Sequence, residues 1–293
     1  MTGTGTQADP YIVDTWADFV TAAGKSGVYV ECAEGAVWDM NDIAPEGITA
    51  EVNINCKSVE GNGVTVKNLF FTSNGKLSFK SEVAFTNVNF LNFLVENGRF
   101  INVAGSSPPS ISKCKFSGVV QDSNFAYNAQ SKILVFNRCS LNLQFQGNSL
   151  LYCGYYVGNG IGGLGLKCQN CNVRLSGSST NSSKITSYDS NYKYNLITFE
   201  NCLISGVNPF KYLYVSWAWS SGTYSSKYSV FDIVCSSAQF ITNAPRYSSI
   251  VNCIINSDKL NGATVDTAIK KVTDDQLHDA SYLQSIGFPI GVE

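Results

Sequence analysis

The chain has 293 residues, of which 44% are hydrophobic and only 14% charged, and its net charge is -2. About a quarter charged is usual, and helix faces in water are normally built from Lys, Glu and Arg, so this composition argues against a helical protein. The near-neutral balance gives nucleic acid no basic footprint, and no run approaches the roughly 18 apolar residues of a membrane span.

Before Lys25 there is no basic residue and no long apolar run, so no export signal is expected. The ten cysteines of a chain made in a cytoplasm start out reduced. In TWADFVTAA (15–23), Trp16, Phe19, Val20 and Ala23 follow helical spacing behind Thr15 and Asp18, which resemble a capping box. Residues 1–26 are therefore expected to form an N-terminal segment whose short helix covers an open end. The first strand is expected in GVYVECAEG (27–35).

From there to residue 257 one pattern recurs. Its centres are Leu69, Val88, Cys114, Cys139, Cys171, Cys202, Val234 and Cys253, 19 to 32 residues apart. The residues three before and two after each centre are apolar in every copy, with Ser236 the one exception. Units of about 20 residues or more that each bury an apolar edge on the next are coils of a solenoid. In a plain strand, residues three apart point to opposite faces, so the chain must turn between the apolar positions. Asn68, Asn87, Asn170, Asn201 and Asn252 precede their centres, and Asn is the commonest non-glycine visitor to the left-handed region that makes such a corner. The expected fold is all-β, a single-stranded parallel β-helix of about nine coils over residues 27–257.

The one Cys-x-x-Cys, Cys168 and Cys171, falls in these apolar columns. A structural zinc site needs four ligands, usually with a second pair, and no second pair exists. The two are read as wall residues, since free cysteine packs as a small hydrophobe. Gly160, Gly162 and Gly165 spell Gly-x-Gly-x-x-Gly, but a repeat strand follows in place of a helix, so a turn between coils is expected there. Residues 258–293 leave the repeat, become charged and are expected to form a short helix from about Asp274 and a cap or docking tail.

The Asn-Cys corners resemble the asparagine ladder of right-handed parallel β-helix proteins with the pectate-lyase-like fold, over roughly residues 28–257. GTGTQADPYIVDTWADFVTAA also resembles the opening of β-helix proteins from gut bacteria and their tailed phages. The resemblance implies a right-handed coil and a function among pectin-cleaving enzymes, tailspikes, adhesins and capsid or tail structural proteins. Fold alone does not choose among these. No catalytic motif of the family matches residue by residue. The leading expectation is a non-enzymatic virion protein: a spike, fibre or head-decoration component. It would pair with other virion proteins or with itself, as a trimer above all, and touch host-surface polysaccharide. The rivals are a polysaccharide lyase or hydrolase and a bacterial surface adhesin.

Two sets of residues are candidates. Glu200 and Asp232 both stand two places before their centres on consecutive coils. At a spacing of about 4.8 Å between coils they would approach a retaining glycosidase pair. No cofactor is expected, calcium being the one ion such a pair could take. Tyr188, Tyr192, Tyr194, Tyr212 and Tyr214 lie in the longest intervals and are candidates for glycan contact or a subunit interface, since tyrosine serves both.

Overall fold

The protein is described by a computed structural model covering residues 1–105, 107–128, 133–154, 164–178, 186–187, 195–210, 225–237, 239, 249–265 and 267–288. Every strand-to-strand ladder within its sheets is parallel, and the strands stack into three sheets that wind around one core. Among the described residues the first sheet has ten strands, from Tyr11–Val13 to Ser249–Val251. The second has eleven, from Val37–Asp39 to Lys270–Val272, and the third has six, from Glu51–Ile54 to Thr186–Ser187. The described strands form a parallel β-solenoid of about 7 turns, fewer than the nine expected.

The corner between the first and second sheets is built as the asparagine pattern predicts. Asn87, Asn170, Asn201 and Asn252 have φ between 50° and 56°, and Asn137, Asn170 and Asn201 form a side-chain ladder with amide contacts of 3.2 Å. Lys113, Arg138 and Tyr228 adopt the same left-handed backbone without an asparagine. What the corner requires is the backbone. Each of these amides donates to a carbonyl of the next coil, as Lys113 does to Asn137 (2.9 Å) and Tyr228 to Val251 (3.0 Å). A left-handed lysine costs about 1–2 kcal/mol, so Lys113→Asn is expected to stabilise the protein by about 0.5–1 kcal/mol, read as a higher urea midpoint at unchanged slope.

The centres from Cys114 onward add a feature the columns did not reveal. The thiols of Cys114, Cys171 and Cys202 each donate to the carbonyl two residues upstream at 3.2–3.3 Å. In the next coil the Ser229 hydroxyl makes the same bond to Lys227. These centres are small side chains with a terminal donor, which apolar volume alone does not explain, whereas the Asn87 corner places the buried Val88 there.

Two of the expected centres are misplaced. Leu203 and Ile204 pair with Val230 and Phe231, so the coil after Cys202 is centred on Ser229, not Val234. Tyr-Ser stands there for Asn-Cys, which hid it. In the first turns Val66 lies between Trp38 and Phe90 in the second sheet. The corner there is Asn62–Gly63, both left-handed, and Leu69 belongs to a separate bend inside the second sheet.

Helix α1 (Trp16–Ala23) closes the first end of the core, burying Trp16, Phe19, Ala22 and Ala23, with Val20 half-buried where the spacing predicted a core position. Its N-cap is Thr15, whose hydroxyl accepts from the Asp18 amide (3.2 Å). Trp16, Phe19 and Trp38 pack ring to ring at 5.4–5.9 Å. The sheets begin before this helix, since Tyr11–Val13 pairs with Tyr29–Cys32. A short helix α2 (Met40–Ile43) follows Val37–Asp39.

At the other end Leu260, Ala263 and Ile269 join the main core, and Lys270–Val272 extends the second sheet. Helices α3 (Asp274–Leu277) and α4 (Ala280–Ser285) do not stack on the axis. With Phe288 they form a second apolar cluster on the outer face of the second sheet, over Leu203, Val230, Ile254 and Val272. The tail is a lateral strap.

Candidate functional site

The corrected register separates the two candidate carboxylates. Glu200 pairs with Lys227 in the first sheet, whereas Asp232 pairs with Ser205 in the second. Each is held by a lysine of its own: Lys167 Nζ lies 2.6 Å from Glu200, and Lys259 Nζ lies 2.7 Å from both oxygens of Asp232. Asp232 also accepts from Asn256 Nδ2 (2.8 Å), which donates as well to Asp274 (2.7 Å) at the strap. Burial pushes the Asp232 carboxyl up, but Lys259 and Asn256 outweigh it and hold it below the usual aspartate range. The geometry makes Asp232 an anchor for the strap and, among the described residues, brings no second carboxylate beside Glu200.

The described cysteines behave as a wall. All nine are free and buried, Cys168 and Cys171 among them, and no metal-binding group of three ligands exists among the described residues. Burial, helped by Glu60 and Glu31, pushes the Cys32 thiol up to about 12; burial alone does the same to Cys56, and it raises Cys235 to about 11. The thiolate is the reactive form, so in the folded protein none of the nine described thiols is expected to react with a disulfide reagent at neutral pH. All ten should react in denaturant, and a colorimetric thiol count checks both.

Tyr188, Tyr192, Tyr194, Tyr212 and Tyr214 lie outside the described residues, as do Gly160 and Gly162.

A polar surface that the repeat pattern did not reveal lies one corner further on, between the second and third sheets. Ser73, Asn97, Asp122 and Gly147 are all left-handed there, with φ of 48–62°. The Asn97 and Asp122 amides donate to Gln121 and Gln146 of the following coils. Asp122 Oδ1 accepts from the Asn148 amide at 2.8 Å and sits so close to Gly147 that a Cβ there would lie 2.2 Å away. Only glycine fits beneath that carboxylate.

Ser73, Asn97 and Asp122, with Asn74, Lys76 and Arg99, line a shallow cleft of about 360 Å³. The Arg99 guanidinium sits over Tyr127, 3.9 Å from the ring centre, and donates to Asn102 Oδ1 (2.9 Å), whose amide donates to the buried Ser78 (3.0 Å). Lys76 is 3.1 Å from Glu51, which Lys80 also holds at 2.7 Å. Lys80 first and then Lys76 bring Glu51 down to about 2 against the opposing effect of burial. The cleft thus presents the Arg99 guanidinium, the Lys76 ammonium paired with Glu51, the Asp122 carboxylate and several amides, a surface suited to polyhydroxylated ligands. The signal in the sequence is a second set of turn tetrads, TSNG (72–75), ENGR (96–99), QDSN (121–124) and QGNS (146–149), which carry no shared cysteine or apolar marker.

The sequence matches no protein-family model and no curated protein. Solved structures similar to this chain include a polygalacturonate lyase fused to a self-assembling amphipathic peptide, at 10% identity and TM-score 0.36 over 98% of this chain and 86% of that one. A thermostable pectate lyase is similar at 10% identity and TM-score 0.32, over 89% and 80%. A Bacillus subtilis pectate lyase variant is similar at 11% identity and TM-score 0.31, over 100% and 88%. At such scores the likeness says nothing of this chain's chemistry, and the solenoid is established by its own strand pairing.

Proposed function

We propose that this chain is a non-enzymatic structural component of a bacteriophage virion, a spike, fibre or head-decoration protein, that meets host-surface glycan without cutting it. The observation that carries the non-enzymatic part is the fate of Glu200 and Asp232. They occupy different sheets, and each is committed to a lysine. The virion part rests on the resemblance of the opening segment. The architecture supports a scaffold role, because continuous parallel ladders and a single stacked core resist unfolding while the corners carry recognition groups. Self-association as a trimer belongs to this reading, and light scattering of the purified protein measures it.

The deciding experiment incubates the protein with capsular and lipopolysaccharide preparations from candidate hosts and follows glycan length by gel filtration. Unchanged chain length, together with recovery of the protein in gradient-purified virions, is the expected result. Shortened glycan whose production is lost in Glu200→Gln or Asp232→Asn would overturn the reading in favour of a depolymerase.

A further inference from the structure

In the first turns of the second sheet asparagine takes the left-handed backbone, whereas later turns place the glycines Gly177 and Gly206 in it. From Lys115–Gln121 onward its strands run through without a break, but a single left-handed asparagine interrupts it twice earlier: Asn68 (φ 58°), between Thr65–Lys67 and Phe70–Thr72, and Asn92 (φ 56°), inside Asn89–Glu96. Pairing with the next strand slips between Leu91 and Phe93. Neither residue turns the chain into this sheet, since Gly63 and Asn87 already do so. Two left-handed asparagines and a bulge carry a conformational cost, and bulges are over-represented beside binding sites.

The two asparagines stack on each other. Asn92 Nδ2 donates to Asn68 Oδ1 (2.6 Å), Asn68 Nδ2 donates to Asp39 Oδ1 (2.8 Å), and Asp39 Oδ2 lies 2.9 Å from Lys67 Nζ. The ladder stops at Asn92, because the neighbouring strand passes from Ser117 to Gly118 at this level. One amide hydrogen and the carbonyl oxygen of the exposed Asn92 side chain are left over. They open on a groove of about 340 Å³ that also presents Asn41 and Asn68 and the apolar surfaces of Phe70, Leu94 and Val119.

The lining restricts what can bind. No charged side chain lines the groove, and Asp39, the carboxylate that the asparagine pair leans on, is neutralised by Lys67, which points to an uncharged ligand. A purely apolar ligand would leave the amides desolvated without partners. An extended peptide would have to add to a sheet edge, whereas this is a sheet face whose backbone groups are paired on both sides. We propose that the groove binds a neutral saccharide, with a sugar ring over Phe70, Leu94 and Val119 and its hydroxyls on the amides of Asn92 and Asn41. A small concave site of mixed apolar and amide lining suits such a ligand. The inference rests on the reading above, that the protein meets glycan without cutting it.

The test is calorimetric titration with maltohexaose, cellohexaose and laminarihexaose, with hexagalacturonate as the acidic comparison. At least one neutral hexamer binds, and Asn92→Gly weakens it roughly tenfold, the loss of one amide's hydrogen bonds. Glycine keeps the left-handed backbone, so the thermal midpoint of Asn92→Gly stays at or above that of the parent. Leu94→Glu, which places a charge in the groove, weakens the same hexamer by at least as much. The proposal fails if no neutral hexamer binds at millimolar concentration, if both variants bind undiminished, or if hexagalacturonate binds best. Virion recovery is scored separately, so failure here leaves the structural role standing. A bound hexamer that is shortened would instead remove the non-enzymatic reading and keep the groove.

Discussion

Replacing Phe100 by alanine lowers the free energy of unfolding by about 3–5 kcal/mol, the largest effect expected of any single core truncation here. Phe100 is fully buried at the start of the third-sheet strand Arg99–Val103. Its ring meets those of Phe71, Phe90, Phe93, Phe116 and Phe125 with centroids 4.3–5.9 Å apart. These rings come from three successive turns, so the cavity opens where the turns are stapled together. Phe100→Leu keeps much of the volume and should cost about 1.5 kcal/mol or less. Urea unfolding measures both. Each coil contacts only its neighbours, so hydrogen exchange in Phe100→Ala should rise first in Asn89–Glu96, Arg99–Val103 and Lys115–Gln121 and leave the strap unchanged. A loss below 1 kcal/mol would mean that the neighbouring rings collapse into the space.

Asn256→Ala is expected to release the strap. Asn256 is fully buried, and its amide bridges Asp232 on the sheet to Asp274 at the first turn of α3. Hydrogen bonds to charged groups are worth about 1.5–3 kcal/mol each. Without the amide, two carboxylates face one another across the gap with only Lys259 to offset Asp232. Beyond this bridge the strap is held by the Asp274 amide on Asp258 (2.8 Å) and by the half-buried apolar side chains around Phe288; neither α3 nor α4 contains a fully buried residue, and both are too short to persist alone. Hydrogen exchange over residues 273–288 should therefore reach near-unprotected rates while the solenoid strands keep theirs. Retained protection would show that the apolar contacts under Phe288 suffice.

Acid should do the same to the parent protein. Asp232 titrates below the usual aspartate value of 3.8. A group with a depressed folded pKa contributes stability that is present above its unfolded pKa and lost as pH falls through the folded one. The other ionisable groups at the latch are Asp258, Asp274, Lys259 and His278. Protonating Asp232 removes its attraction for Lys259, so strap exchange should accelerate below about pH 4. Asp232→Asn should flatten that dependence.

Much of the fold was legible because a solenoid writes its periodicity into the chain. Phe85, Ile111, Phe136 and Cys168 stack in successive coils as their spacing requires, and asparagine before the centre marks a left-handed residue wherever it occurs. The signal failed where the backbone adopted that conformation without its usual residue. Tyr228 and Ser229 replace Asn and Cys, so the pattern locked onto Val234, and the error carried Asp232 into a false pairing with Glu200. Asn68 misled in the opposite sense, since it marks a true left-handed residue that belongs to a different bend.

The sequence alone determined the all-β class, the parallel stack, the main asparagine corner, the helix that covers the first end and the inert place of the cysteines. Each of these follows from a pattern local to one coil, a fixed spacing of apolar side chains around a residue that tolerates positive φ. Which coil lies on which, and therefore which charges and amides meet, was decided only by the tertiary structure. The Asp232 latch, the polar corner around Asp122 and the groove beside Asn92 join residues 24 or more positions apart. A shift of a few residues in one loop changes every such meeting while the apolar columns remain intact.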